Sequence, residues 1–277
     1  VYPAPVRAAV SRISAAGALD GTYGVSGTVT VQPASSTSSR VSAGIVTATN
    51  EVFYTGTAEY ATAPTNRASM WWVNAAGNST NASAAPLDVD PVSLALAGSN
   101  VVALASGTWA VRWTASNLSL APGFSLDSLG AQVIGDEITG IFGTSDGRIV
   151  GTSNGYTDRI PFTAVGVDGA PDAGISPSAG YTAGTADLLR SVLAPDGGTF
   201  SLIGLSSGKV LRLGRNGAPV STFGTGGVVT VSPSTINYTA TIVPAPGGGV
   251  FLVGRNNSNQ LLVAKLASTG ALDPSHG

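Results

Sequence analysis

The stretch that most constrains the chain is Tyr238 to Gly277, YTATIVPAPGGGVFLVGRNNSNQLLVAKLASTGALDPSHG. It holds an apolar run, a Pro-Gly turn, a second run, a polar turn, a third run and a Gly-Ala-Leu-Asp turn. The strand due next is visible after the preceding copy, where Phe223-Gly224-Thr225-Gly226-Gly227 leads into Val228-Val229-Thr230-Val231. Four short strands per unit, repeated along one chain, predict the blades of a β-propeller.

The repeat extends to the whole sequence. Third-strand segments end at turn residues Gly17, Gly77, Asn117, Gly169, Gly217 and Gly270, at intervals of 40 to 60 residues. Such scatter is what loops of unequal length on one scaffold give. The first hairpin turn of each unit recurs as Thr49-Asn50-Glu51, Gly98-Ser99-Asn100, Ser145-Asp146-Gly147, Pro195-Asp196-Gly197 and Pro246-Gly247-Gly248. These residue types accept a positive φ or preset a tight turn. β-rich runs flank each turn, and no segment carries a capped, sustained 3.6-residue apolar period. The expected fold is therefore all-β: one propeller domain over 1–277, with repeat units at 28–86, 87–130, 131–180, 181–227 and 228–277. Five four-stranded blades are expected, with six as the alternative if the N-terminal region contributes more than one strand.

The segments Pro-Asp-Gly-Gly, Arg-Leu-Gly-Arg-Asn-Gly-Ala, Ser-Thr-Phe-Gly-Thr-Gly-Gly-Val-Val-Thr-Val and Gly-Ala-Leu-Asp-Pro-Ser-His-Gly resemble the delta-sixty repeat, a propeller-like repeat of large secreted bacterial proteins. The match is good over Asp187 to Gly277, recognisable from Gly17 to Val31, and degenerate between Asn66 and Gly180. The resemblance implies a blade-like fold and an extracellular setting. It implies no catalytic residue.

Strand counting sets a further expectation. Five units supply three inner strands each, so the outermost strand of the last blade is expected from Thr28 to Gln32, which closes the ring and removes its exposed edges. Residues 1–17 then hold a surplus strand, Val6 to Ser14. Either that strand marks a cut in a longer repeat protein or packs outside the ring, or its residues Val6, Ala8, Val10 and Arg12 complete a sheet in another copy by strand addition.

Composition narrows the function. Hydrophobic residues make up 43% and charged residues 10%, so the chain can bury a core. A net charge of −2 supplies no electrostatic reason to bind nucleic acid or anionic lipid. The most apolar window, Pro91 to Val111, is broken by Gly98, Ser99, Asn100, Ser106 and Gly107, and reads as two strands and a turn; no membrane insertion is expected. There is no cysteine, which removes disulfides and thiolate chemistry. Lysine occurs only at Lys209 and Lys265 among abundant Ala, Ser, Thr, Gly and Val, a composition of secreted bacterial surface proteins. The opening at Val1-Tyr2-Pro3 reads as that of a mature or trimmed chain.

Reactive groups are scarce. Gly-x-Ser-x-Gly occurs at Gly143 to Gly147, Gly151 to Gly155 and Gly204 to Gly208, but at strand turns, and the only histidine is His276. The pairs Asp88 with Asp90, Asp136 with Glu137, and Asp168 with Asp172 could share a cation or act as acid and base. Asp20, Asp172 and Asp273 occupy matching places after the third strand, where a carboxylate accepts turn amides. Basic residues at one register position, Arg12, Arg112, Arg212 and Lys265, point to a scaffold ion pair or a packed stem, with an anion-binding ring as the alternative. Asn-x-Ser/Thr triplets at Asn78, Asn81, Asn117, Asn237 and Asn256 follow from the Ser and Thr content.

Tryptophan is the remaining lead. Trp71, Trp72, Trp109 and Trp113 fall in two consecutive units, Trp71 and Trp72 on opposite strand faces, Trp109 and Trp113 on one. They fill the space between blades or form an aromatic platform for a sugar ring or protein. The expected function is a non-enzymatic extracellular binding or structural module that needs no cofactor, with a protein, a cell-surface glycan or copies of itself as partner. The alternative is a lectin-like or carbohydrate-active domain using the Trp-rich face.

Overall fold

The computed structural model describes residues 7–62, 65–78, 80–84, 91–98, 100–105, 109–114, 137–154, 159–166, 170–175, 180–182, 188–203, 208–231, 238–255 and 258–276. Among them there is no α-helix. The chain divides into two compact units, Val1–Leu126 and Asp127–Gly277.

The first unit holds three antiparallel sheets. β1 (Ala8–Ser11) pairs with β2 (Thr28–Val31). β3 (Ser36–Val46), β4 (Val52–Tyr60), β5 (Asn66–Val73) and β6 (Thr80–Ala84) follow as a meander. β7 (Pro91–Ala97), β8 (Asn100–Ala105) and β9 (Trp109–Thr114) form the third. The second unit holds β10 (Glu137–Gly143), β11 (Ile149–Asn154), β12 (Arg159–Val165) and β13 (Gly180–Thr182) in one sheet. β14 (Leu188–Leu193), β15 (Thr199–Ile203), β16 (Lys209–Leu213) and β17 (Val228–Thr230) form the next. β18 (Tyr238–Pro244), β19 (Val250–Arg255) and β20 (Leu261–Leu266) form the last, followed by a 3₁₀ turn at Pro274–His276.

Two backbone features show that these sheets are copies. In the first strand of five sheets the register slips by one residue at the equivalent place, beside Ser42, Val92, Thr139, Leu189 and Ala240. A single extra residue of this kind bends and twists its strand. The second is the turn before the outermost strand. Gly224, Gly226 and Gly227 have φ of 57°, 60° and 87°, and Gly24, Ser26 and Gly27 repeat the path at 59°, 52° and 86°. Ser26 thus sits in a left-handed conformation that glycine takes without strain.

The pairing of β1 with β2 corrects two expectations. Thr28–Val31 does not complete the last sheet; it lies beside Ala8–Ser11, with Ala8 opposite Val31 and Ser11 opposite Thr28. The stretch Val6 to Ser14 is accordingly not surplus: Ala8, Val10 and Arg12 belong to this hairpin, and Val6 lies outside the described residues. The connection between the strands is local and hydrogen-bonded throughout. Ser14 N donates to Ala18 O (2.8 Å), Tyr23 N to Asp20 O (2.9 Å) and Val25 N to Thr28 O (2.8 Å). β16 and β17 are joined in the same way, with Gly214 N to Ala218 O (2.8 Å), Phe223 N to Val220 O (2.9 Å) and Thr225 N to Val228 O (2.9 Å). A short closed loop costs less entropy than pairing with a strand at the other end of the chain.

The core lies between successive sheets. Tyr23, Val29, Val31, Trp71 and Val73 pack together in the first unit, and Phe53, Met70 and Val101 form a second cluster there. In the second unit Phe162, Ile175, Leu211 and Leu213 join two sheets, and Phe200, Phe223, Ile242, Leu252 and Leu266 join the next two. The rings of Phe200 and Phe223 meet edge to face at 5.6 Å between centroids. Phe223 is fully buried. Phe223→Ala is expected to lower the stability of the second unit by about 3–5 kcal/mol, the usual cost of emptying a buried aromatic site. Denaturant unfolding followed by circular dichroism measures it; a loss within experimental error would show that this ring does not hold the two sheets together.

Candidate functional site

Several charged residues lie in the turns at the sheet ends, among them Asp20, Asp146, Asp172, Asp196, Arg215 and Asp273. A cleft of about 260 Å³ opens there in the second unit, lined by Arg148, Asp172, Gly174, Ile175, Arg215 and Asn216. Arg148 follows the β10–β11 turn, Asp172 follows β12, and Arg215 follows β16. Each position is set by a glycine-containing turn, of which Gly147 (φ 85°) is one, closed by Gly147 N to Thr144 O at 3.0 Å.

Four charges interlock across this cleft. Arg148 Nη1 donates to Asp172 Oδ2 at 3.0 Å, Arg148 Nε lies 3.5 Å from Asp146 Oδ2, and Arg215 Nη2 donates to Asp146 Oδ2 at 2.5 Å. The Arg148 guanidinium is buried and reaches two backbone carbonyls as well, Arg215 O and Gly197 O, each at 3.4 Å. The Asp146 carboxyl is held down at about 2, first by the Thr144 hydroxyl that donates to it and then by the two guanidinium groups. Asp172 is lowered first by the Gly174 amide, which donates to Oδ1 at 2.8 Å, and then by Arg148. Both carboxylates stay ionised near neutrality and have no proton to give. The cluster is charge-balanced and ties two successive sheets together.

The register basic residues do the same work. Arg12 pairs with Asp20 at 2.9 Å and lies over the Tyr23 ring at 4.7 Å. Arg212 pairs with Asp196 at 2.5 Å and lies over Phe200 at 4.6 Å. Lys265 pairs with Asp273 at 3.1 Å. Each is a scaffold ion pair with its charged head over an aromatic face, Lys265 Nζ lying 6.0 Å from the Phe251 centroid. The side chain of Arg112 lies outside the described residues, and the remaining register positions are Trp72 and Ala164. Asp20, Asp172 and Asp273 accept the turn amides of Thr22 (3.0 Å), Gly174 (2.8 Å) and Ser275 (3.0 Å). Asp88, Asp90, Asp136 and Asp168 lie outside the described residues, as does the side chain of Glu137. No group of three or more potential metal ligands occurs among the described residues.

Ser275, His276 and Asp273 come close enough to invite comparison with a nucleophile, base and acid. The Ser275 hydroxyl lies 3.0 Å from His276 Nδ1, but Asp273 Oδ2 is 3.4 Å from that same nitrogen, and Ser275 also bonds Asp273 Oδ1 at 2.7 Å. A triad needs serine and carboxylate on opposite ring nitrogens. Here both partners crowd one nitrogen, as in a capped turn.

The tryptophans divide between clusters. Trp71 is fully buried among Tyr23, Val29 and Val73, which removes it from the aromatic platform expected above, because no ring face reaches solvent. Trp72 points to the other face, half-buried and stacked on Phe53 at 6.4 Å between centroids. The indole nitrogens of both are buried without a hydrogen-bond partner, so these rings serve volume rather than polar recognition. Trp109 and Trp113 lie in β9, with side chains outside the described residues. Arg148, Arg215 and Asp146 did not stand out in the sequence. Their only signal is a charged residue beside the glycine in turns of two neighbouring repeats.

No protein-family model matches the chain, and no curated protein matches it. Solved structures do. The β-propeller domain of the trilobed protease from Pyrococcus furiosus superposes with a TM-score of 0.50 at 7% identity, over 84% of this chain and 69% of that one. The likeness is to a β-propeller fold. YCF48 bound to D1 peptide gives a TM-score of 0.52 at 10% identity, over 97% of this chain and 74% of that one. Acylaminoacyl peptidase from Pyrococcus horikoshii gives 0.52 at 10% identity over 85% of this chain, which spans 39% of that enzyme's length. At such identity the likeness is one of fold alone. Among the described residues no helix is long and apolar enough to cross a membrane.

The cleft yields a pH prediction. The Asp146 and Asp172 carboxyls have folded pKa values below their unfolded ones, so their contribution to stability is complete above the unfolded value near 4 and is lost as pH falls through the lowered folded values, about 2 for Asp146. The second unit should therefore unfold at progressively lower denaturant concentration between about pH 4 and pH 2. Asp146→Asn should flatten that slope while costing little at pH 7, since half-exposed ion pairs are worth roughly 1 kcal/mol or less. An unchanged slope in the variant would remove Asp146 from the account.

Proposed function

We propose that the chain is a non-enzymatic repeat module that works outside the cell by holding a protein partner. In this reading the five sheets that share the register slip are five propeller blades, and β1–β2 is the outer half of a sixth. The observation that carries the reading is an apolar patch on the β1–β2 sheet. Ile13 is 57% exposed, Leu19 56% and Val25 82%, and Ile13 and Leu19 are bridged to each other across the turn. Large exposed apolar groups that cluster at one place mark interaction surfaces. Among the described residues, Asp20, Asp146, Asp172, Asp196 and Asp273 are engaged in scaffold ion pairs. Secretion is supported by the low lysine content among abundant Ala, Ser, Thr, Gly and Val. The peptidase-like neighbours support a propeller scaffold and contribute nothing on chemistry at 7–10% identity.

A triple substitution, Ile13→Ser with Leu19→Ser and Val25→Ser, tests the patch. Binding of an apolar fluorescent dye is expected to fall at least several-fold while the thermal midpoint stays within a few degrees. A large fall in midpoint would mean that the three side chains are structural, and the reading would fail. Glycan arrays separate the carbohydrate alternative: glycan binding that survives the triple substitution and is lost in Trp72→Ala would favour it.

A further inference from the structure

Among the described residues, three pairs of successive sheets are joined by the same contact. A buried residue on the turn after a third strand plugs a socket made by the end of the third strand of the next sheet and the turn beyond it. Tyr23 packs with Val73, Ile175 with Leu213 and Phe223 with Leu266. The receiving turns, residues 74–77, 214–217 and 267–270, are each closed by a 2.9 Å bond from the glycine N to the first carbonyl of the turn. An aromatic ring stands over two of them: a Cβ on Gly77 would sit 2.8 Å from the Tyr23 ring, and one on Gly270 would sit 3.4 Å from that of Phe223.

The joint between the β10–β13 and β14–β17 sheets departs from this pattern in three places, and the three meet at the cleft of about 260 Å³. Its plug is Ile175, shorter than a ring. Its receiving turn carries Arg215 and Asn216, where the other two carry Ala75 with Ala76 and Ser268 with Thr269. Arg148 ends a hairpin turn whose counterparts in the next two sheets end in Gly198 and Gly249, all three closed by a 2.9 Å bond to that residue's carbonyl. Two joints therefore hold without these polar side chains, and the third uses only part of what they offer. Arg215, 57% exposed, gives Nη2 to Asp146 and leaves Nε and Nη1 without a partner among the described residues. Asn216 accepts from Ala218 N at 3.1 Å through Oδ1 and leaves its Nδ2 likewise. Asp172 takes Arg148 on one oxygen and Gly174 N on the other, and each oxygen keeps a second lone pair. The charges of Arg148, Arg215, Asp146 and Asp172 cancel, so what remains suits a neutral ligand that both donates and accepts.

We propose that this cleft takes the terminal sugar ring of a glycan through two adjacent hydroxyls. A hydroxyl carries one donor and two lone pairs, so a neighbouring pair donates to Asp172 while accepting from Arg215 and Asn216. A carboxamide has matching groups but fills only a small part of 260 Å³, and that volume, just below the roughly 300–1,000 Å³ of drug-sized sites, holds one ring rather than a chain of them. The site lies within the second unit and does not depend on the patch at Ile13, Leu19 and Val25 or on the tryptophans. Its described lining has no aromatic ring to stack on the sugar, so for a ligand this small the dissociation constant is expected to be on the order of 1 mM.

Saturation-transfer NMR on the full chain tests this with the methyl glycosides of glucose, galactose and mannose, each titrated to about fiftyfold above that constant. At least one should bind. Arg215→Ala removes the exposed guanidinium, and Asn216→Asp removes the amide donor while keeping the acceptor that closes the turn. Each should raise the dissociation constant by about tenfold and leave the thermal midpoint within a few degrees. The triple substitution at Ile13, Leu19 and Val25 should leave glycoside binding unchanged, so the sugar site and the protein-binding reading stand or fall separately. No binding of any of the three glycosides would overturn the proposal, as would binding that ignores both cleft variants. Displacement of the glycoside by equimolar acetate or propionamide would overturn it too, since the cleft would then read an anion or a carboxamide side chain of a protein.

Discussion

Among the described residues, three sheets hold the next through a single ring or branched side chain lodged against the following turn. Tyr23, Ile175 and Phe223 are carried on turns rather than on strands, and each buries itself against the sheet that comes after its own. The sheets themselves are short antiparallel meanders, of a size that is marginal in isolation. What stabilises them is the pairing of faces, and the plug fixes how faces meet. The receiving glycine is therefore constrained twice, by its positive φ and by the ring above it, with 72° at Gly77 and 84° at Gly270.

Charge is used sparingly and for one purpose. Arg12, Arg212 and Lys265 place their charged heads over aromatic rings and pair them with aspartates, and Arg148 reaches across to the next sheet. A guanidinium over a ring face gains from the negative face of the ring while it keeps its in-plane donors for a carboxylate. The cleft beside Arg148 follows from this arrangement. It is lined by groups that already satisfy one another, which argues for a joint between sheets rather than a receptor for a charged ligand.

Much of this was legible in the residues. Alternating apolar runs and glycine-bearing turns located the hairpins, and the equivalence of Tyr23-Gly24 with Phe223-Gly224 could be read from the letters alone. The partner of Thr28–Val31 could not, because a strand pattern specifies which face is buried and not which edge is paired. The register slip was equally hidden. Ser42, Val92, Thr139, Leu189 and Ala240 share neither size nor polarity, since an extra residue in a strand is a property of alignment between two backbones. Trp71 and Trp72 could be assigned to opposite faces, but which face is sealed depends on Tyr23, far away in sequence. The Asp146, Arg148, Asp172 and Arg215 cluster joins turns up to 69 residues apart and leaves no local spacing to find.

The first and last turns of this kind differ in how well they tolerate water. In three turns the residue is Tyr, Ile or Phe and buried; in the last it is His276, part-exposed, paired with Asp273 and with its ring 5.6 Å from that of Phe251. That substitution keeps a ring of similar reach and gives it polar partners. The socket shows no such adaptation, because Ile13 is as apolar as the Val73, Leu213 and Leu266 that are covered. Leaving a side chain of this size in water forgoes about 1.5–3 kcal/mol relative to burial. Isoleucine there, with Leu19 bridged beside it, is the kind of residue that the proposed protein-binding surface would use.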